Sequence, residues 1–184
     1  MCLKRIFKNE EPDPVPTVPP PPVEPTPTLP TYKRWSVAGH YLIKKLEKMG
    51  MKTFPSAKQI NNMKLDEKYT YTNLDGWAEV IPHLITESDL YRKNIFDCED
   101  YAIEAQSICA KNYGLNAVRL CVGTIPSSED PNKPAGHGFN ILFYGDEKGV
   151  EGVLLFEPNA GFGWAGNAFE IGDNGYQPVA VLIN

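Results

Sequence analysis

Between residues 98 and 109, apolar side chains recur at Cys98, Tyr101, Ala102, Ala105, Ile108 and Cys109, the spacing that lines one face of an α-helix. Asp97 falls where an N-cap belongs, Asp100 stands three residues on, and Gly114 supplies a stop. The same period predicts a helix over residues 36–49, with Val37, Leu42, Ile43, Leu46 and Met49 inward and Gly50 closing it. A third helix is predicted over residues 74–84, capped by Thr72 or Asn73, with Trp77, Val80, Ile81 and Leu84 as its core face. Phe54-Pro55 breaks the chain, and a short helix is expected over residues 57–63.

After Gly114 the period changes from 3.6 to 2. Val118, Leu120 and Val122 alternate with Ala117, Arg119 and Cys121, so residues 116–125 read as a strand. Further strands are expected at 137–144, 152–157 and 177–183. A polar loop separates the first two of these four strands at 127–136, and glycine-rich loops at 161–164 and 172–175 precede the last. Helices come first and strands follow. The expected fold is therefore α+β, with N-terminal helices packed on a C-terminal antiparallel sheet.

Composition divides the chain. Residues 10–31 hold most of the 17 prolines, and proline fixes φ and removes a donor, so residues 1–31 read as a polyproline-type tail or tether ahead of a domain at 32–184. About 20 such residues reach roughly 60 Å. A net charge of −5 and the absence of long basic runs argue against nucleic acid, and no apolar stretch has the length of a membrane span. The first eight residues are followed by acids and prolines instead of an apolar run, so no secretory signal is expected and a cytoplasmic or virion-associated location is. Cys2, Cys98, Cys109 and Cys121 lack paired spacing, which disfavours disulfides and a structural zinc. Cys109 and Cys121 read as core thiols, His40 as a surface residue, and His83 as a helix-end residue facing the dipole.

Chemistry concentrates at three points. Cys98 sits in a first helical turn, where unpaired N–H groups and the macrodipole favour a thiolate, while Glu99 and Asp100 oppose it. His137 enters a strand between Gly136 and Gly138, which leave room for something to approach the ring. If residues 145–149 form a five-residue hairpin loop, His137 lies across from Glu157. A seven-residue loop would oppose it with Asn159, the alternative orienter. Glu157 is favoured because Pro158 ends the strand and a carboxylate steadies an imidazolium better than an amide does. Nucleophile, base and orienter make the arrangement of thiol acyl chemistry.

The motifs Asp97-Cys98-Glu99-Asp100-Tyr101-Ala102, Gly136-His137 with Asn140, and Phe156-Glu157-Pro158-Asn159 resemble the papain-like and transglutaminase-like cysteine peptidase superfamily. Within it they look most like a phage and bacterial branch related to the C-terminal protease domain of a mushroom agglutinin, which uses a Cys-His-Glu triad. The resemblance covers roughly residues 60–184. It implies a papain-like fold and a peptidase acting on a peptide or protein, with Cys98 as nucleophile, His137 as base and acid, and Glu157 as orienter. No cofactor is required by the sequence; calcium enters by resemblance alone, the agglutinin domain being calcium-activated. For the oxyanion, the Cys98 N–H is one donor, and Asn94, Lys93 or Tyr91 supplies the second in place of the glutamine that papain-like enzymes carry, since none lies between Gln59 and Cys98. Aromatics around Trp164 are candidates for the cleft wall. The rival reading is a non-catalytic structural or phage virion-associated module that keeps the fold and is anchored by the tail.

Overall fold

The computed structural model of the protein describes residues 32–54, 66–128 and 130–183. The proline-rich segment and the short helix expected at 57–63 lie outside these residues. The chain runs through β1 (Trp35–Ala38), α1 (Gly39–Lys48), β2 (Lys52–Phe54), β3 (Lys68–Tyr71), α2 (Leu74–Val80), α3 (Cys98–Ile108), β4 (Val118–Pro126), β5 (Pro134–Asp146), β6 (Gly149–Phe156), β7 (Ala168–Phe169) and β8 (Gln177–Leu182). Six strands form one sheet in the order β2-β8-β4-β5-β6-β7, and β1 pairs with β3 in a separate ribbon. The fold is α+β.

Two layers pack on the sheet because β5 and β6 alternate. Phe139, Ile141 and Phe143 of β5, with Val153 and Leu155 of β6, join Leu42, Ile43 and Leu46 of α1 and the ribbon's Tyr69 and Tyr71 in one cluster. Leu142 and Phe156 point the other way, to Trp77 and Val80 of α2 and Ala105 of α3, with Ile81, Leu84 and Cys109. Leu42, Ile43 and Leu46 are each fully buried, contributing roughly 1.5–3 kcal/mol apiece. No described helix is long and apolar enough to cross a membrane.

Several sequence expectations need correction. The sheet is mixed, because β2 joins β8 in parallel, Thr53 opposite Val181. Three residues are too few to show alternation, so β2 carries no sequence signal of its own. The helix expected from residue 36 begins at Gly39, since Ala38 is still extended (φ −67°, ψ 139°) and belongs to β1. Met49 is correspondingly exposed. The helix expected over 74–84 gives way after Val80 to a 3₁₀ turn, Ile81–His83, with Pro82 inside it, although Trp77, Val80, Ile81 and Leu84 are all buried as predicted. Asn73 is its cap, its Oδ1 accepting the Gly76 N–H at 2.9 Å. α3 continues past Ile108 as a π turn, Cys109–Tyr113, and stops at Gly114 in the left-handed region (φ 64°).

The β5–β6 hairpin also closes differently. Asp146 pairs with Gly149 across a two-residue turn, and a bulge between Tyr144 and Gly145 resets the register to Tyr144 opposite Gly152 and Asn140 opposite Phe156. The Lys148 N–H donates to Asp146 Oδ1 at 2.7 Å, and Gly149 takes φ 135°, which shapes so tight a turn. At Gly145 a Cβ would collide with the Gly149 carbonyl, so only glycine fits the bulge.

Candidate active site

Cys98 opens α3. Asp97 and Asp100 form a capping box across its first turn, with the Asp97 N–H donating to Asp100 Oδ2 at 3.2 Å. Asp97 Oδ2 in turn accepts the Asn94 N–H at 2.9 Å, fixing the turn that leads into the helix. These contacts occupy two of the acids around the thiol. Glu99 differs: its Oε2 accepts the Cys98 S–H at 3.2 Å.

β5 brings His137 to this helix start. Gly138 makes the approach possible: a Cβ there would stand 3.0 Å from the Glu99 Cα and N and 3.2 Å from the Cys98 carbonyl carbon. The first turn of α3 thus lies directly on the strand, next to the histidine. Gly136, on the other side, faces open space. Two residues beyond Gly138, the fully buried Asn140 donates from Nδ2 to the Ala102 carbonyl of α3 at 2.9 Å, tying helix to strand a second time.

The His137 imidazole bonds through Nε2 to Glu157 Oε2 at 2.7 Å, and the Cys98 side chain lies close enough to bear on the ring. With Nε2 engaged, Nδ1 is the ring nitrogen left for the sulfur. Burial alone would push the ring's pKa down. The neighbouring Cys98 and Glu157 outweigh it and hold the imidazole at about 9. Phe162 lies against the ring at 5.1 Å between centroids, Tyr176 meets it edge-on at 5.8 Å, and Phe139 stacks at 6.1 Å.

Glu157 is 1% exposed, and its carboxylate is taken up by three donors. Oε2 accepts from His137 and from the Tyr176 hydroxyl, both at 2.7 Å, and Oε1 accepts the Asn159 N–H at 3.0 Å. The register that led to Glu157 from the sequence was two residues out, since continuing the observed ladder sets His137 level with Asn159. Pairing stops at Phe156, however, and the chain is drawn toward the α3 side by the Thr86 N–H on the Pro158 carbonyl at 2.9 Å. Glu157 therefore meets the ring diagonally. Asn159 does not orient the ring; its Oδ1 accepts the Gly161 N–H at 2.8 Å and shapes the loop.

Thiol and imidazole open onto a groove of about 660 Å³, walled by Tyr91, Ile125, Pro126, Phe162 and Trp164. The wall role expected for Trp164 has a geometric basis, and a role absent from the sequence reading goes with it. Trp164 Nε1 donates to the Tyr176 hydroxyl at 3.1 Å. Tyr176, fully buried, carries no sequence signal beyond being an aromatic after a glycine-rich turn. Burial, then the Glu157 charge, push its phenol far up, so it stays a donor. Of the second oxyanion donors considered, the Tyr91 N–H is taken by the Ser88 carbonyl at 3.2 Å and the Asn94 N–H by Asp97.

Cys109 and Cys121 are fully buried, and burial pushes both thiols up, Cys121 to about 12. His40 and His83 are exposed. Among the described residues, Asp97, Cys98 and Glu99 bring three ligand atoms within 4.8 Å of one another. A thiol and two carboxylates, one of them spent on capping, do not fit calcium, which takes six to eight oxygens.

No known protein family matches the chain, and no curated protein does. Among solved structures, a Polyporus squamosus lectin bound to a human-type influenza-binding epitope is similar over 80% of this chain and 49% of its own, at 18% identity and a TM-score of 0.49. The chain spans about half the length of that lectin.

Proposed function

We propose that the protein is a papain-like cysteine peptidase, of the phage and bacterial branch its motifs resemble, cleaving an amide bond in a peptide or protein through a thiol acyl-enzyme. One observation carries this reading: Cys98 and His137 line the same open groove, and His137 is bonded to a buried carboxylate at 2.7 Å. In the reaction, His137 Nδ1 takes the thiol proton and the sulfur attacks the carbonyl carbon. The tetrahedral intermediate collapses as the imidazolium gives that proton to the departing amine. Water, deprotonated by the same ring, then adds to the thioester, and expulsion of the thiol releases the acid. A raised imidazole affinity for the proton favours its transfer from the thiol to the unprotonated ring. An amine in place of water would make the reaction a transamidation. The Cys98 N–H in the first turn of α3 is one donor for the oxyanion.

A second reading, a non-catalytic structural or virion-associated module, is favoured by one contact, the S–H of Cys98 on Glu99 Oε2 at 3.2 Å, which aims the thiol proton away from the imidazole. Iodoacetamide labelling with mass spectrometry separates the two. The peptidase reading expects Cys98 to be alkylated at pH 6–7 far faster than Cys109 or Cys121, and at least tenfold more slowly in His137→Ala. Slow labelling of Cys98 that His137→Ala leaves unchanged would support the structural module.

A further inference from the structure

We propose that Tyr176 is a positioning residue for the reacting imidazole, and that Trp164 sets it, so that the groove wall and the base form one hydrogen-bonded chain. The inference rests on the peptidase reading above. The chain runs from Trp164 Nε1 to the Tyr176 oxygen at 3.1 Å, from the Tyr176 O–H to Glu157 Oε2 at 2.7 Å, and from that same oxygen to His137 Nε2 at 2.7 Å. Every donor points one way, toward the carboxylate. Tyr176 accepts only from Trp164 and gives its single proton to Glu157, so the indole decides which way that proton is aimed.

Two donors on one carboxylate oxygen do two things. They fix where Oε2 sits, since Asn159 already holds Oε1 at 3.0 Å and the carboxylate has no remaining rotation. They also share its charge, so the hydrogen bond to the imidazole is weaker than it would be alone. The Tyr176 ring is held separately from its hydroxyl, by edge-on contacts with Phe139 and Phe169 at 5.0 Å and with Trp164 at 5.9 Å. Its hydroxyl is therefore not needed to pack it. The charged and titratable groups bearing on His137 are Cys98 from α3, with Glu99 behind the sulfur, Glu157 after β6, and Tyr176 before β8. Trp164 and His137, the two ends of the chain, both line the groove, so whatever lies against the indole also reaches the base through three hydrogen bonds.

The test is the titration of the His137 ring by NMR in the full chain, native and with Tyr176→Phe or Trp164→Phe. Tyr176→Phe keeps the aromatic contacts and removes the donor. Oε2 then bonds the imidazole alone, and the ring pKa is expected to rise by about half a unit or more, with a smaller rise in the same direction for Trp164→Phe. Titration unchanged from the native protein in Tyr176→Phe, even with a lowered melting temperature, would show that the hydroxyl only stabilises the fold and would overturn the proposal. Should Tyr176→Phe fail to fold, Trp164→Phe decides alone, an unmoved ring pKa again overturning it. Labelling of Cys98 in His137→Ala tests the underlying peptidase reading independently, so the two can fail separately.

Discussion

Replacing Glu157 by glutamine keeps the volume and removes the charge, and its consequences can be worked from three hydrogen bonds. In the native protein, His137, Tyr176 and the Asn159 N–H all donate to the carboxylate. An amide has one oxygen and one NH₂, so at least one donor meets another. The Asn159 N–H is backbone and cannot turn away, which favours the amide oxygen there and the NH₂ toward the ring. His137 must then present a bare Nε2 and carry its proton on Nδ1, facing the sulfur, the tautomer that cannot accept a thiol proton. The native ring holds its proton to about 9 against an ordinary 6.5, a preference worth about 3 kcal/mol. Because the folded pKa is the higher one, that stabilisation is fully present below pH 6.5 and is lost as the pH rises through 9. For a domain of this size it corresponds to a melting temperature lower by roughly 6–12 °C at the alkaline end. In Glu157→Gln the part of that contribution owed to Glu157 is lost, leaving burial opposed by Cys98 alone, so the ring's contribution across that window shrinks. Thermal melts of both proteins between pH 5.5 and 9.5 should therefore converge as the pH rises, and labelling of Cys98 at pH 7 should fall by about 10²-fold or more. Melting curves that stay parallel from pH 6.5 to 9 would refute the reasoning.

Three further substitutions probe how the site is held. Gly138→Ala places a Cβ 3.0 Å from backbone atoms of Glu99, so α3 must lift from β5; the expected cost is about 1–3 kcal/mol in urea unfolding, with Cys98 labelling slowed at least tenfold, and native labelling would contradict the close approach. Asn140→Asp sets a buried carboxylate against the Ala102 and Arg119 carbonyls and is expected to destabilise by about 3 kcal/mol at pH 7, less as acid protonates it; native stability at pH 7 would count against the tie. Asn73→Ala removes the cap of α2 and should cost about 1 kcal/mol without changing Cys98 labelling, so a slowed reaction would mean that α2 bears on the groove.

The sequence by itself determined the local elements whose signals repeat. The 3.6 period from Cys98 with its Asp97–Asp100 box places a helix start to the residue, and the alternation through 116–125 and 137–144 places two neighbouring strands. It also singled out Cys98, His137 and Glu157, because a thiol at a helix start and a glycine-flanked histidine stand out against any background. Tertiary structure alone decided how those residues meet. The two-residue turn and the bulge at Gly145 each move the hairpin register by one, and the pull of Thr86 on Pro158 returns Glu157 to the ring, effects set by a backbone clash and by a hydrogen bond between segments 72 residues apart. Tyr176 and Trp164 join the carboxylate in the same way, from loops without a period. Periodicity records which face of an element is buried; it does not record which atoms of separate elements come within 3 Å, and that distance is where the chemistry lies.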